Sequence, residues 1–240
     1  PQFARQLASL NQMLDGRLTI NIISSDLPGE TLASAPRYRR TIEVMHILAA
    51  LMSGKPLDVD GEFYRLKLDP PRLLQGAARR PPFYFGGLSE DAREAAAEAA
   101  DVYLMWPDRM DVVRGIVSDL TARAEKRGRK LKFGYRVHVV VRETETDARL
   151  AAERLLSRLD DAEGARIRER SLDSASYGVR RQAELRETAS AEGYAEENLW
   201  TGIGRARSGC GAAIVGDPDQ VVAKLNAYRN RFKDFIDAAS

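Results

Sequence analysis

The stretch PPFYFGGLSEDAREAAAEAADVYLMW, residues 81–106, decides the fold. PFYFGG (82–87) is an aromatic run stopped by two glycines, and it predicts a strand. SEDAREAAAEAA (89–100) is rich in alanine and predicts a helix. DVYLMW (101–106) returns to a strand pattern. Strand, helix and strand joined by short turns make a βαβ unit, whose strands lie parallel through a right-handed crossover.

The same rhythm continues in both directions. Downstream, MDVVRGIVSDLTARAEKRG (110–128) predicts a helix, KFGYRVHVVV (132–141) a strand and ETDARLAAERLLSRLDD (145–161) a helix. Upstream, FARQLASLNQML (3–14) predicts an amphipathic helix closed by Gly16, and RLTINII (17–23) a β-branched strand. PRYRRTIEVMHILAALMSG (36–54) predicts a helix between Pro36 and Gly54, and PLDVDGEFYRLKL (56–68) a small hairpin turning at Asp60-Gly61. After a long polar stretch, DPDQVVAKLNAYRNR (217–231) predicts the last helix, and DFIDAAS (234–240) the start of another strand. That gives about five parallel strands, against the eight of a closed (β/α)8 barrel. From pattern alone the α/β chain is either an open doubly wound sheet or part of a barrel.

The chain has 240 residues, 44% of them hydrophobic and 30% charged, as in globular proteins. Its 37 basic and 35 acidic side chains nearly cancel, which gives no support for nucleic-acid binding. The single cysteine, Cys210, excludes an internal disulfide framework and a zinc cluster, and a cytoplasmic location is expected. No stretch approaches the roughly 20 apolar residues that cross a bilayer, so no membrane role is expected. The chain opens on Pro1 inside a helical pattern, as a piece of a longer product would.

Within KFGYRVHVVV, simple alternation puts Tyr135, Val137, Val139 and Val141 on one face, suited to packing under helices. It puts Arg136 and His138 on the other. In a parallel barrel that other face points inward, where an unpaired charge is costly. Two readings stand: Arg136 is paired with a buried carboxylate, or it faces an anionic ligand.

Two further segments carry chemistry. In YFGGLSEDA (84–92), Gly86 and Gly87 permit close backbone approach, and the N–H groups at the following helix start attract anions. The other reading is ordinary capping, with Ser89 as N-cap and Glu90 and Asp91 favoured by the helix dipole. Residues 162–210 are too long for a routine connection. RIRERSLDSAS and RRQAELRETASAEGYAEEN predict helical pieces, and NLWTGIGRARSGCGAAIVGD (198–217) sets Arg205 and Arg207 among four glycines. That loop is either a solvated surface segment or a cationic lid over an anionic substrate. Cys210 has no recognisable activating base and reads as a small packing residue.

Taken together, GRLTINII, RYRRTIEV, DGEFYRL, PPFYFGGLSEDAREAAAEAADVYLMW, FGYRVHVVVRET, NLWTGIGRARSGCGAAIVGD and the final helix resemble the bacterial luciferase-like flavin monooxygenases. The branch most resembled is that of the FMNH2-dependent alkanesulfonate monooxygenases. The resemblance implies a TIM (β/α)8 barrel, here incomplete. Residues 1–240 would form a single partial barrel domain running from the helix after strand 3 into strand 8, with the hairpin as an insertion and 162–210 as a lid-like excursion.

The resemblance also implies roles. Arg136 and His138 match the Arg-x-His beside flavin and substrate, Arg207 the loop arginine that closes over the sulfonate, and Trp106 a tryptophan lining the pocket. Gly86, Gly87, Leu88 and Ser89 match the turn that receives the FMN phosphate, and Tyr38 a tyrosine near it. Ser34 stands where relatives commonly have histidine. The family's flavin-proximal cysteine would lie before Pro1, and its late substrate-site tyrosine after Ser240.

The implied reaction uses FMN as FMNH2, supplied by a separate NAD(P)H-dependent reductase, together with O2. An alkanesulfonate would yield aldehyde and sulfite. Arg136 and Arg207 would bind the sulfonate or stabilise negative charge, while His138, with an ordinary pKa of about 6.5, would hold or orient a proton. A homo-oligomer is implied by analogy, and no metal is called for. Two rivals are a deazaflavin-dependent oxidoreductase of the same superfamily and a non-catalytic flavin-binding barrel protein.

Overall fold

The computed structural model describes residues 1–24, 32–70, 80–169, 176–206, 209 and 211–237. The chain divides into two compact units. The first comprises Pro1–Gly86, Glu90–Tyr103 and Arg123–Lys132; the second comprises Gly87–Ser89, Leu104–Ala122 and Phe133–Ser240.

In the first unit, helix α1 (Gln2–Met13) buries Ala4, Leu7 and Ala8. It ends where Gly16, at φ 73°, donates its N–H to Asn11 O at 2.8 Å, a left-handed closure that glycine adopts without steric cost. Strand β1 (Ile20–Ile22) leads to α2 (Ser34–Met52), whose Met45, Leu48, Leu51 and Met52 share a core with Ile20 and Phe83. The hairpin is β2 (Leu57–Asp60) and β3 (Arg65–Leu68), paired from Leu57↔Leu68 to Asp60↔Arg65. Its turn is closed by Gly61 N–H on Tyr64 O at 2.9 Å, and the Glu43 carboxylate accepts from Phe63 N–H at 2.9 Å.

The segment quoted at the outset folds as predicted. Strand β4 (Phe83–Phe85) pairs in parallel with β1, then α3 (Glu90–Ala99) leads to β5 (Val102–Met105), which is parallel to β4. Asp101 pins the entry to this sheet: its carboxylate accepts from Phe83 N–H at 2.7 Å and from both terminal nitrogens of Arg80 at 2.7 and 2.9 Å. The alanines of α3 are buried, and Glu90, Glu94 and Glu98 form a stripe on another side. Arg123 reaches Glu90 and Glu94, and Arg127 reaches Glu94 and Glu98. Both arginines belong to or follow α4 (Met110–Glu125).

Residues 132–141 are not one strand. They form β6 (Lys132–Tyr135), beside β5, and β7 (His138–Val141), parallel to β10 (Ala213–Gly216), with a break at Arg136–Val137. At the break Arg136 N–H still bonds Met105 O at 2.9 Å, whereas His138 lies opposite Ala213. The break inverts the inside–outside alternation. Tyr135 stacks on Tyr228 of α8 (Pro218–Asp237) with ring centroids 4.3 Å apart, yet Val140 packs toward Ala148 and Ala152 of α5 (Glu145–Leu156). Val139 and Val141, expected under the helices, are exposed. An odd interval separates the two helix-facing residues, as an extra residue in a strand produces. Simple alternation therefore does not place Arg136 and His138 on one face.

Three other expectations change. Helix α5 stops at Leu156 and a separate α6 (Asp161–Glu169) follows. The polar excursion contains α7 (Tyr177–Glu187), then β8 (Tyr194–Glu196) and β9 (Leu199–Trp200), which extend the second sheet in the order β7-β10-β9-β8. No strand begins at 234, because α8 runs to Asp237 with no glycine or further proline to stop it. Strand β10, parallel to β7, is the last parallel strand among the described residues instead. Among the described residues no helix is long and apolar enough to cross a membrane.

Candidate active site

The first unit carries Ser34, Tyr38 and Gly86 of the residues expected to bind the cofactor. Ser34, at the start of α2, donates its hydroxyl to Asp91 Oδ2 at 2.6 Å. Tyr38, one turn on, meets the edge of Phe85 with centroids 6.2 Å apart, and Gly86 follows directly, exposed. The first turn of α3 carries Glu90 and Asp91, two acids that would oppose an anion. Both are engaged: Glu90 by Arg123 Nη1 at 2.6 Å, and Asp91 by Ser34. The Arg123 guanidinium offsets the charge of Glu90, whereas the neutral Ser34 hydroxyl hydrogen-bonds Asp91 without cancelling its charge, so an anion at this helix start meets an acid beside the backbone N–H groups. Ser34 thus has a partner within its own unit.

Gly87, Leu88 and Ser89 belong to the second unit. Gly87 has φ 151°, backbone that suits glycine, and Leu88 and Ser89 are half-buried. Arg136 is exposed at the β6–β7 break, and His138 is half-buried at the first position of β7. Arg207 and Cys210 lie outside the described residues.

Trp106 ends the β5 segment, half-buried, with Gly178 of α7 and Gly209 against its ring. A Cβ at Gly178 would stand 3.1 Å from Trp106 Cζ3, and one at Gly209 would stand 3.7 Å from Cζ2. The two glycines thus leave room for the indole, a flat apolar wall with a polar edge.

The turn after Trp106 is held by residues that the sequence did not single out. Asp108 is buried and accepts two bonds from Arg181 of α7, at 2.7 and 2.8 Å. That pairing raises the Arg181 pKa above its ordinary value. Pro107 O accepts from Gln182 Nε2 at 2.8 Å, and Asp108 O accepts from the Tyr228 hydroxyl at 2.8 Å. Burial pushes the Tyr228 phenol well above its ordinary pKa, so it stays a neutral donor. Arg109 reaches Thr188 O at 3.0 Å and Ala195 O at 3.1 Å. The only sequence signal for this cluster was a polar Asp-Arg pair directly after a strand end. A buried carboxylate needs a partner, but nothing in the sequence says which arginine supplies it.

Parallel strands alternating with helices, a glycine turn leading into a helix, and a tryptophan at a strand end define an α/β protein of the (β/α)8-barrel class. The described strands provide consecutive units of such a barrel, and neither sheet closes on itself. The chain belongs to the luciferase-like monooxygenase family, whose profile matches residues 2–234. A sulfoquinovose monooxygenase of Novosphingobium aromaticivorans is 63% identical over 236 residues, covering 95% of this chain and 65% of that protein. Another, of Agrobacterium fabrum, is 50% identical over 231 residues, covering 94% of this chain and 59% of that protein. The chain thus spans somewhat less than two-thirds of the length of these relatives. A riboflavin lyase solved with modified FMN and riboflavin superposes with a TM-score of 0.72 at 16% identity, covering 97% of this chain and 61% of that one, which bears on the fold alone.

Proposed function

We propose that this chain is part of an FMNH2- and O2-dependent monooxygenase that cleaves the carbon–sulfur bond of sulfoquinovose, a sugar carrying a sulfonate on its terminal carbon. The observation that carries the reading is the 63% identity over 236 residues to a protein named for that activity. Sulfoquinovose replaces the alkanesulfonate expected from the sequence. The difference is chemically coherent: both present a sulfonate on a CH2 group, and the sugar adds hydroxyls that a simple alkyl chain lacks.

The reduced flavin, when bound, supplies the two electrons that let O2 oxidise the carbon bearing the sulfonate. One oxygen atom enters the product aldehyde and the other leaves as water, with sulfite released. The residues of this chain bind and orient. By resemblance, the backbone of Gly86, Gly87, Leu88 and Ser89 would hold the FMN phosphate, a role that the resemblance also gives to Tyr38 and Ser34. Arg136 pairs with the sulfonate, or with negative charge as sulfite departs. His138 holds a proton near the reacting carbon, and Trp106 excludes water from it. The reductase is a separate NAD(P)H-dependent protein, and the working enzyme is a homo-oligomer.

The test is sulfite release by the full gene product with FMN, a flavin reductase, NAD(P)H and O2. Sulfoquinovose should give sulfite at a kcat/KM well above that for ethane- to octanesulfonate, and Arg136→Ala should lose at least a hundredfold. Equal or better turnover of alkanesulfonates overturns the substrate. Absence of sulfite from every sulfonate overturns the activity.

A further inference from the structure

The buried side chain of Gln182 ties together two segments far apart in sequence. It lies on α7 and is 5% exposed. Its Nε2 donates to Pro107 O at 2.8 Å, across 75 residues of chain, and its Oε1 accepts from Gly211 N–H at 3.0 Å, across 29 residues. Pro107 follows Trp106 directly. Gly211 leads into β10, whose first residue, Ala213, is the register partner of His138. A single amide thus spans from the backbone carrying Trp106 to the strand alongside His138. The approach is tight at Gly211, where a Cβ would lie 3.2 Å from Gln182 Oε1 and would push the amide by a few tenths of an ångström. One turn further along α7, Arg186 Nη1 bonds Gly204 O at 3.2 Å, so the same helix also holds the segment before Gly209.

We propose that Gln182 is a positioning residue for substrate binding, setting the Trp106 indole relative to the β7–β10 strands through the Pro107 carbonyl and the Gly211 amide. It touches no reacting atom. An uncharged primary amide offers a donor and an acceptor at this reach at any ordinary pH without placing a charge in a buried site. Glutamate in its ionised form would set a negative charge against the Pro107 carbonyl, whereas its protonated form restores the donor. Methionine keeps the shape and loses both bonds. The kinetic half of the inference rests on the sulfonate reading above; the mechanical half does not.

The experiment compares Gln182→Met and Gln182→Glu with the parent gene product, each with and without Trp106→Phe. Acrylamide quenching of tryptophan emission reads the indole directly. Gln182→Met should raise quenching by at least half, and the increase should vanish in the Trp106→Phe background, which keeps Trp200. In sulfite release from sulfoquinovose, Gln182→Met should raise KM about tenfold with kcat within threefold, and that rise too should shrink once Trp106 is replaced. Gln182→Glu should recover toward parental KM as pH falls and its carboxyl protonates.

Unchanged quenching in folded Gln182→Met overturns the proposal. So does a loss in which kcat falls with the fraction unfolded while KM stays parental, or a KM increase that persists in full in Trp106→Phe. If the quenching change appears while the parent protein releases no sulfite, the positioning role of Gln182 stands and the proposed substrate fails.

Discussion

Asp108 and Arg181 meet through two parallel hydrogen bonds, Nε to Oδ2 at 2.7 Å and Nη2 to Oδ1 at 2.8 Å, joining the turn after β5 to α7 across 73 residues of chain. The Asp108 side chain is 3% exposed and that of Arg181 25%, so the pair is shielded on the carboxylate side. Removing one member of such a pair leaves an uncompensated charge, at a cost of about 3 kcal/mol. Asp108→Ala and Arg181→Met should each lower the urea midpoint accordingly. The double variant should lose about 1–2 kcal/mol less than the sum, because neither charge is then stranded. Strict additivity would show that the two side chains do not depend on each other.

The hairpin turn makes a second, independent case in the first unit. The Glu43 carboxylate occupies the space above Gly61: a Cβ there would fall 1.4 Å from Glu43 Oε1. The same carboxylate accepts from Phe63 N–H at 2.9 Å and Tyr64 N–H at 3.4 Å. Gly61→Ala must expel it and lose those bonds, so it should cost about 1–2 kcal/mol. Glu43→Ala should cost a similar amount. Because both changes remove the same interaction, Gly61→Ala in a Glu43→Ala background should be nearly neutral in chemical denaturation.

Glu145 gives the pH dependence its sign. Its Oε2 accepts from Gln220 Nε2 at 2.7 Å, and its Oε1 from Arg149 at 2.7 and 2.9 Å. The Gln220 bond first, and then Arg149, hold its carboxyl below the usual carboxylate range. A depressed folded pKa contributes stability that is fully present above the unfolded value of about 4.3 and is lost as pH falls through the folded pKa. Glu145→Gln should therefore be less stable than the parent at pH 7, with the difference closing below about pH 4. Unfolding midpoints measured from pH 7 to pH 3 check this. A gap that stays constant would mean the glutamate acts by shape alone.

These residues also mark what the sequence made legible. The βαβ segment at 81–106 was readable because its periods switch from 2 to 3.6 between glycine and alanine signals, and β4, α3 and β5 fall where the pattern put them. The hairpin was readable from Asp60-Gly61, although the carboxylate that demands the glycine lies on α2. Strand β10 was not, because its Ile-Val pair is short and set between the glycines of a loop. The break at Arg136–Val137 was hidden as well: a continuous apolar run carries no mark of an extra residue, so alternation was extended across it. The turn that follows Trp106 shows the same limit for the site. Trp106 itself was suggested by resemblance, but Arg181, Gln182 and Tyr228 converge on its turn through contacts that exist only once α7 and α8 are in place.

Gly178 separates stability from binding at that same tryptophan. It lies in the first turn of α7, where alanine is favoured over glycine by about 0.5–1 kcal/mol. A methyl group there would stand 3.1 Å from Trp106 Cζ3, so the indole must shift by a few tenths of an ångström. Gly178→Ala should leave the unfolding midpoint unchanged or slightly raised while it alters the near-UV circular dichroism of the tryptophans. If Trp106 walls the substrate site, KM for sulfoquinovose should rise several-fold with kcat less affected. Because stability and affinity are expected to move in opposite directions, a fall in activity cannot be ascribed to partial unfolding. Parental KM combined with a changed tryptophan spectrum would remove Trp106 from the substrate wall.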